Sequence, residues 1–259
     1  MLLLIGQSIY AQQESQFQDG EEFAYDVKYK YGIVVMTGAR ATYRLTATTY
    51  AKQPAWKALV KLNTTSFFDK MYLMRDTLTT YASVSDLKPL YAERIVHESN
   101  YHFTEKVTTQ KFSPEQTQVY LKRYRPNRTM VDTFMTAEAA GYDMLSMLLA
   151  ARAWDYDEMA VGTATKIAIF FGADQTHITI RYTGKQTIEV GKHRYNTFKL
   201  NLDLVDKAFT TSKDAVEIWL SNDQNRAPVR IRAKLKIGAM EGELTSAKNL
   251  KHPFEGQIK

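Results

Sequence analysis

Cysteine is absent from the 259 residues, which excludes a disulfide framework, thiolate metal sites, a cysteine nucleophile and a lipidated cysteine anchor. Stability must come from the core, and a chain of this length buries roughly 70–75% of its unfolded surface on folding. Long hydrophobic runs are missing as well. The apolar opening Met1–Ile5 falls far short of the about 20 residues a bilayer-spanning helix needs, and no other stretch approaches that length. Linkers rich in Pro, Gly or Ser are also lacking, as is a repeat of fixed period. One continuous domain over residues 20–246, followed by a C-terminal tail at 247–259, is the expected organisation.

Charge and aromatic rings are plentiful. Lys and Arg total 34 against 28 Asp and Glu, a formal charge of +6, which leaves anionic partners open. Tyr and Phe number 16 and 12, and aromatic residues fit half-buried pleated surfaces. At the start, M-L-L-L-I-G-Q-S-I-Y-A gives way to the polar run Gln12–Gln18, which resembles the end of a secretory signal peptide cleaved after Ala11. It lacks a basic n-region, and Ile9 stands where a small residue is preferred. The alternative is an N-terminal strand. The first reading implies an exported soluble protein, periplasmic or extracellular.

Period-two alternation dominates the rest. The best-specified stretch is Asp214–Ser246, where Val216, Ile218 and Leu220 alternate with Glu217 and Trp219. Turn chemistry follows at Ser221–Asn225, and Pro228 opens the next strand. There Val229, Ile231, Ala233, Leu235 and Ile237 share one face while Arg230, Arg232, Lys234 and Lys236 share the other. Gly238 ends the run before a third strand at 239–245. Earlier strands are expected at 22–31, 39–50, 56–65, 78–81, 90–97, 101–112 and 117–125, and later ones at 163–171, 177–182, 187–190 and 194–205. Turn signals every 8–12 residues are those of a sandwich or barrel.

Two stretches break the pattern. Phe67, Phe68, Met71, Tyr72 and Met74 fit neither period, so residues 67–74 read as a short helical plug, a mobile apolar loop or a buried crossover. Residues 136–154 are rich in helix formers, and Met144, Leu145, Leu148, Leu149 and Arg152 form one stripe. A helix therefore begins near Tyr142 or Asp143, with an acid at its start and Arg152 at its end matching the dipole. The expected fold is mainly β: antiparallel strands, about a dozen by pattern, in a barrel or half-barrel with one central helix packed against the sheet.

Three blocks, G-E-E-F-A-Y-D-V-K-Y, G-Y-D-M-L-S-M-L-L-A-A-R and V-E-I-W-L-S-N-D-Q-N-R-A-P-V-R-I-R-A-K-L-K-I-G-A-M-E-G-E-L-T-S, resemble in order and spacing the domain-of-unknown-function family 3108. The resemblance runs from about Gly20 to Ser246. It implies an exported bacterial envelope protein and brings no catalytic residue, cofactor, substrate or partner. Trp219, Asp223, Arg226 and Pro228 match its closing block; Asp223 and Arg226 are placed to pair across the turn while Trp219 fills core.

Chemical motifs are sparse. His97 and His102 are five apart, whereas the helical zinc pattern needs four, and on one strand an odd offset sends the rings to opposite faces. The Gly-x-Ser-x-Gly elbow and the glycine-rich nucleotide loops are absent. Asp69, Asp76, Asp143, Asp174, Asp203 and Asp206 allow carboxylate pairs without specifying one. Lys122–Arg128 mixes cations with Tyr124, as single-stranded nucleic-acid binders do, but an exported protein rarely meets nucleic acid; a solvated strand end is the simpler reading, with a basic loop touching anionic lipid or glycan as the alternative. No cofactor or metal is expected.

These features favour a non-enzymatic envelope protein that binds or carries a lipid or other amphipathic molecule, with Phe67, Phe68 and Tyr72 as candidate ligand surface. The alternative is a structural or assembly factor that binds a protein or glycan partner through Trp219, Asp223, Arg226 and the row Arg230, Arg232, Lys234 and Lys236. An envelope-polymer hydrolase comes third.

Overall fold

The computed structural model describes residues 16–111, 113, 116–137, 141–171, 174–204 and 213–258. The signal-like segment Met1–Ala11 and Asp206 lie outside them. Alternating sequence becomes alternating structure almost throughout. The first half is a meander of β1 (Glu22–Tyr31), β2 (Val34–Tyr50), β3 (Gln53–Thr64), β4 (Arg75–Ser83), β5 (Pro89–Glu98), β6 (Tyr101–Lys111), β7 (Thr117–Arg125) and β8 (Arg128–Ala137). A short helix α1 (Ser66–Asp69) interrupts it between β3 and β4. Helix α2 (Met144–Arg152) follows, then β9 (Ala164–Phe171), β10 (Asp174–Val190), β11 (His193–Asp203), β12 (Val216–Ser221), β13 (Pro228–Lys234), β14 (Ala239–Lys248) and the short β15 (Gln257–Ile258).

All join one antiparallel sheet in the order β8-β7-β6-β5-β4-β3-β2-β1-β14-β13-β12-β11-β10-β9, with β15 added on β11. The two meanders are sewn together by the first and last long strands, through pairs such as Glu22 with Lys248 and Lys30 with Ala239. Strands β8 and β9 remain as edges, so the sheet is barrel-like and not closed.

Helix α2 sits against the inner face and links two clusters. Leu145 and Leu149 pack with Phe17, which precedes β1, and with Phe23, Tyr43, Leu45, Trp56 and Ala58 on the first-half strands. Ala151 and the following Tyr156 pack with Ile169, Ile180, Phe198, Leu200 and Leu220 on the second. A further small core of Ile188, Val190, Tyr195, Trp219 and Val229 forms with Phe254 of the C-terminal segment.

Several expectations change. Strand β8 was not anticipated, because its charges and threonines mask the alternation; Asn127, at φ 61°, turns the chain tightly into it. The segments 177–182 and 187–190 are one strand, β10, with a bulge between Tyr182 and Gly184. Strand β13 ends at Lys234, so Lys236 leaves the cationic row and Leu235 and Ile237 leave the apolar face. Gly238 forces that turn: it adopts φ 72°, and a Cβ there would run into the Lys30 carbonyl.

Candidate functional site

At the centre of the molecule Arg152, 1% exposed, meets Glu21, fully buried. Nη1 donates to Glu21 Oε1 at 2.6 Å and Nη2 to Oε2 at 2.8 Å. Arg152 also donates through Nε to the Arg226 carbonyl at 3.1 Å and through Nη2 to the Asn225 carbonyl at 2.9 Å. Its guanidinium lies over the rings of Phe17 and Phe23 at 5.0 and 5.3 Å. Burial alone would lower the Arg152 pKa, but Glu21 holds it above its ordinary value. All three blocks that carry the family resemblance converge here, on Glu21, Arg152 and Asn225–Arg226. A paired, saturated ion pair of this kind fixes geometry.

The other end of α2 is fastened as firmly. Asp143 is its N-cap and accepts from Ser146 N at 2.7 Å, while Ser146 Oγ accepts from Asp143 N at 2.9 Å. Thr80 on β4 donates to the same carboxylate. Burial raises the Asp143 pKa, against those hydrogen bonds. Beside this cap a narrow cleft of about 60 Å³ is bounded by Leu78, Ala92, Arg94, Glu105, Val107 and Met144. That is room for about two waters. Glu105 is tied to Arg123, and both Arg94 and Arg123 stack on Phe103 at 5.1 and 5.2 Å.

The turn Ser221–Arg226 is held by Asp223. Its Oδ1 accepts from Ser221 Oγ at 2.8 Å, Asn225 N at 3.0 Å and Arg226 N at 3.2 Å, and its Oδ2 accepts from Gly256 N at 2.8 Å. The Arg226 guanidinium turns away, toward Asp155 at 3.9 Å and the Arg152 carbonyl at 3.4 Å. The expected side-chain pair across the turn is thus a side chain-to-backbone clamp, with the Arg226 guanidinium lying over the Tyr156 ring at 5.7 Å and away from Asp223. Trp219 is buried with Nε1 donating to Gln186 Oε1 at 3.0 Å, and Pro228 is buried at the head of β13.

The cationic row is neutralised across strands. Arg230 reaches Glu241 at 2.7 Å and Glu243 at 3.2 Å. Arg232 and Lys234 lie 3.9 and 3.7 Å from Glu217, which Lys199 approaches to 2.9 Å. Lys28 and Lys30 add 2.5 and 2.8 Å contacts to Glu243 and Glu241. Burial would raise the Glu243 pKa; Lys28, Arg230 and Lys30 together hold it below its usual range. Lys236 is exposed in the turn beyond the row.

Phe67, Phe68 and Tyr72 lie on the β3–β4 connection, which is α1 and a loop and not a buried crossover. Phe67 and Tyr72 are exposed, as is Met71 at 74%. The neighbouring β1–β2 turn exposes Tyr31, Ile33, Val34, Val35 and Met36, with Ile33 at 100%. Ile237 on the β13–β14 turn and Tyr101 on the β5–β6 turn complete the set. All four turns lie at the same end of the sheet, and they hold ten of the sixteen exposed large apolar side chains among the described residues, so the exposure is a patch and not scatter. The turns are tied together. Thr65 N donates to Gly38 O at 3.0 Å and Ser99 N to Leu73 O at 2.8 Å. Tyr72 Oη donates to Glu98 Oε2 at 2.5 Å, which raises the phenol pKa to about 12. Tyr29 Oη donates to Ile237 O at 3.0 Å. Sequence patterning singled out only the 67–74 part of this end; residues 32–38 lay unassigned between two expected strands, and Ile237 was read as part of a strand's apolar face.

His97 and His102 do meet, with ring centroids 4.1 Å apart, because a turn makes them partners across β5 and β6. The odd offset separates rings only within one strand. Among the described residues no group of three His, Cys, Asp or Glu is gathered to hold a metal. Asp69 is taken up by Arg75 at 2.6 Å and Asp203 by Arg181 at 2.9 Å. The Lys122–Arg128 stretch is the end of β7 and its turn, with Lys122 at 3.2 Å from Asp132.

With this geometry in place, the family profile "Protein of unknown function (DUF3108)" matches residues 24–245. The chain belongs to the DUF3108 family. This DUF3108 chain is also similar in fold to the beta-barrel-like protein of domain of unknown function DUF1849 from Brucella abortus, seen in a crystal structure. The TM-score is 0.61 at 11% identity, covering 90% of this chain and 99% of that one. At that identity the likeness concerns the fold. No curated protein matches the DUF3108 chain in sequence.

Proposed function

We propose that the protein is a non-enzymatic binding protein of the bacterial cell envelope, exported to the periplasm or cell exterior, that engages a lipid or another amphipathic molecule. The observation that carries this reading is the apolar end of the sheet, where Tyr31–Met36, Phe67, Met71, Tyr72 and Ile237 stand together in solvent. Leaving such side chains exposed forgoes about 1.5–3 kcal/mol each, a cost that a ligand or surface covering them recovers. The cleft of about 60 Å³ beside the α2 cap is too small for an acyl chain, which favours the apolar end over that cleft as the place where the ligand is held. No helix among the described residues is long and apolar enough to cross a membrane. Export is supported by the signal-like Met1–Ala11. Binding of a protein or glycan through the β12–β14 row draws less support, since Arg230, Arg232 and Lys234 already face glutamates.

Titration of the purified protein with a fluorescent lysophospholipid below its critical micelle concentration tests this. Saturable binding that is lost in Phe67→Ser/Met71→Ser supports the reading. An absence of saturable binding, or equal binding by the variant, contradicts it.

A further inference from the structure

We infer that the same apolar end docks onto the surface of an anionic bilayer, an inference that rests on the amphipath-binding reading and adds the partner from which such a molecule would be drawn. Three features point to a membrane and not to a groove-binding partner. First, the apolar side chains stand on turns at one end of the sheet and are open to solvent: Ile33 is wholly exposed, and Met71, Phe67 and Ile237 are 74, 68 and 65% exposed. They form a raised edge, the shape that enters the boundary between headgroups and acyl chains. Second, the edge is held as one piece. The Tyr72–Glu98 bond ties the β3–β4 connection to the end of β5, and the Tyr29–Ile237 bond ties the β13–β14 turn to β1, so these side chains would enter together without first being ordered.

Third, the charges at this end are sorted. Lys70, Arg128 and Lys236 are exposed on the β3–β4, β7–β8 and β13–β14 turns. Most acids nearby are paired with cations: Asp69 with Arg75, Asp132 with Lys122 and Glu241 with Lys30 and Arg230. Glu98 keeps its charge beside the neutral Tyr72, and the exposed Lys70, Arg128 and Lys236 flank the apolar centre. Headgroup phosphates complement the cations, and cations within a Debye length of an anionic surface are attracted to it. Tyrosines at the edge suit the headgroup level, where one end of the ring is apolar and the other wet.

Flotation of the full chain with vesicles tests the inference, using phosphatidylcholine alone and phosphatidylcholine mixed with phosphatidylglycerol. The expected result is at least about tenfold more protein floating with the anionic vesicles, as three cations near the surface imply. Ile33→Asp/Met71→Asp is expected to abolish flotation, and Lys70→Glu/Lys236→Glu to remove the preference for anionic lipid. All four positions are exposed, and melting temperatures equal to that of the native protein verify that the variants are folded. No flotation of the native protein, equal flotation on both vesicles, or undiminished flotation of Ile33→Asp/Met71→Asp overturns the inference. A protein that binds the lysophospholipid saturably yet never floats overturns it while leaving the proposed function standing. One that floats without taking up lysophospholipid supports docking and removes the proposed ligand.

Discussion

Arg152 closes on Glu21 across 131 positions of the chain, its two terminal nitrogens meeting the two carboxylate oxygens at 2.6 and 2.8 Å. Through this pair the last turn of α2 is joined to the entry of β1, and through the Asn225 and Arg226 carbonyls to the β12–β13 turn. Removing one partner leaves a buried charge uncompensated. Arg152→Met is expected to lose about 3–5 kcal/mol of stability. The double variant Glu21→Leu/Arg152→Met recovers most of that, because no charge is stranded. Urea unfolding of the two single variants and the double variant measures this; a double variant as unstable as the sum of the singles contradicts it.

Asp143 anchors the opposite end of α2. Asp143→Ala removes the cap on Ser146 N and the partner of Thr80, and about 1 kcal/mol should be lost. Asp143→Asn keeps an acceptor for Ser146 N. It also removes a carboxylate whose pKa burial raises. A carboxyl whose folded pKa is raised loses stability as pH climbs from its unfolded pKa through the raised folded value. Asn, which keeps the acceptor, is expected to be less damaging than Ala, and both variants fare better relative to the native protein at neutral than at acid pH. Thermal melts at several pH values decide the matter.

Glu243 has the opposite sign. Its folded pKa lies below the usual value because Lys28, Arg230 and Lys30 outweigh burial. Its contribution is therefore fully present above the unfolded carboxylate pKa of about 4.3 and is lost as pH falls through the lowered folded value. Glu243→Gln should reduce stability at neutral pH and flatten the acid limb of the stability curve. An acid limb unchanged by the substitution would show that Glu243 does not contribute to it.

At Gly238, φ 72° and the close approach to the Lys30 carbonyl leave no room for a side chain. Gly238→Ala is expected to cost at least about 1–2 kcal/mol from the left-handed backbone alone, with slowed pairing of β13 and β14. Hydrogen exchange on β14 is the readout, and protection equal to the native protein would contradict the account.

How much of this was legible in the sequence follows from what depends on register. Alternation exposed the antiparallel class, and the stripe from Met144 to Arg152 exposed the one long helix, since both periods are local. The pairing of β1 with β14 is not local, so nothing in either strand announced that Lys28 and Arg230 would share Glu243. The row Arg230, Arg232, Lys234 and Lys236 consequently read as a free cationic face. Arg152 read only as the dipole-matching end of the helix's stripe for the same reason: its partner is a single glutamate far upstream. At the apolar end, 67–74 stood out because it fitted no period, whereas Ile33–Met36 fell unassigned between the strands expected at 22–31 and 39–50. Only the adjacency of the β1–β2 and β3–β4 turns turns them into one surface.

The binding reading is tested most directly by native mass spectrometry of the protein released gently from its own host's envelope, native and Ile33→Asp/Met71→Asp side by side. The account predicts a stoichiometric adduct of lipid-like mass on the native protein and its loss from the variant. A bare polypeptide mass for both, repeated across mild conditions, would contradict it.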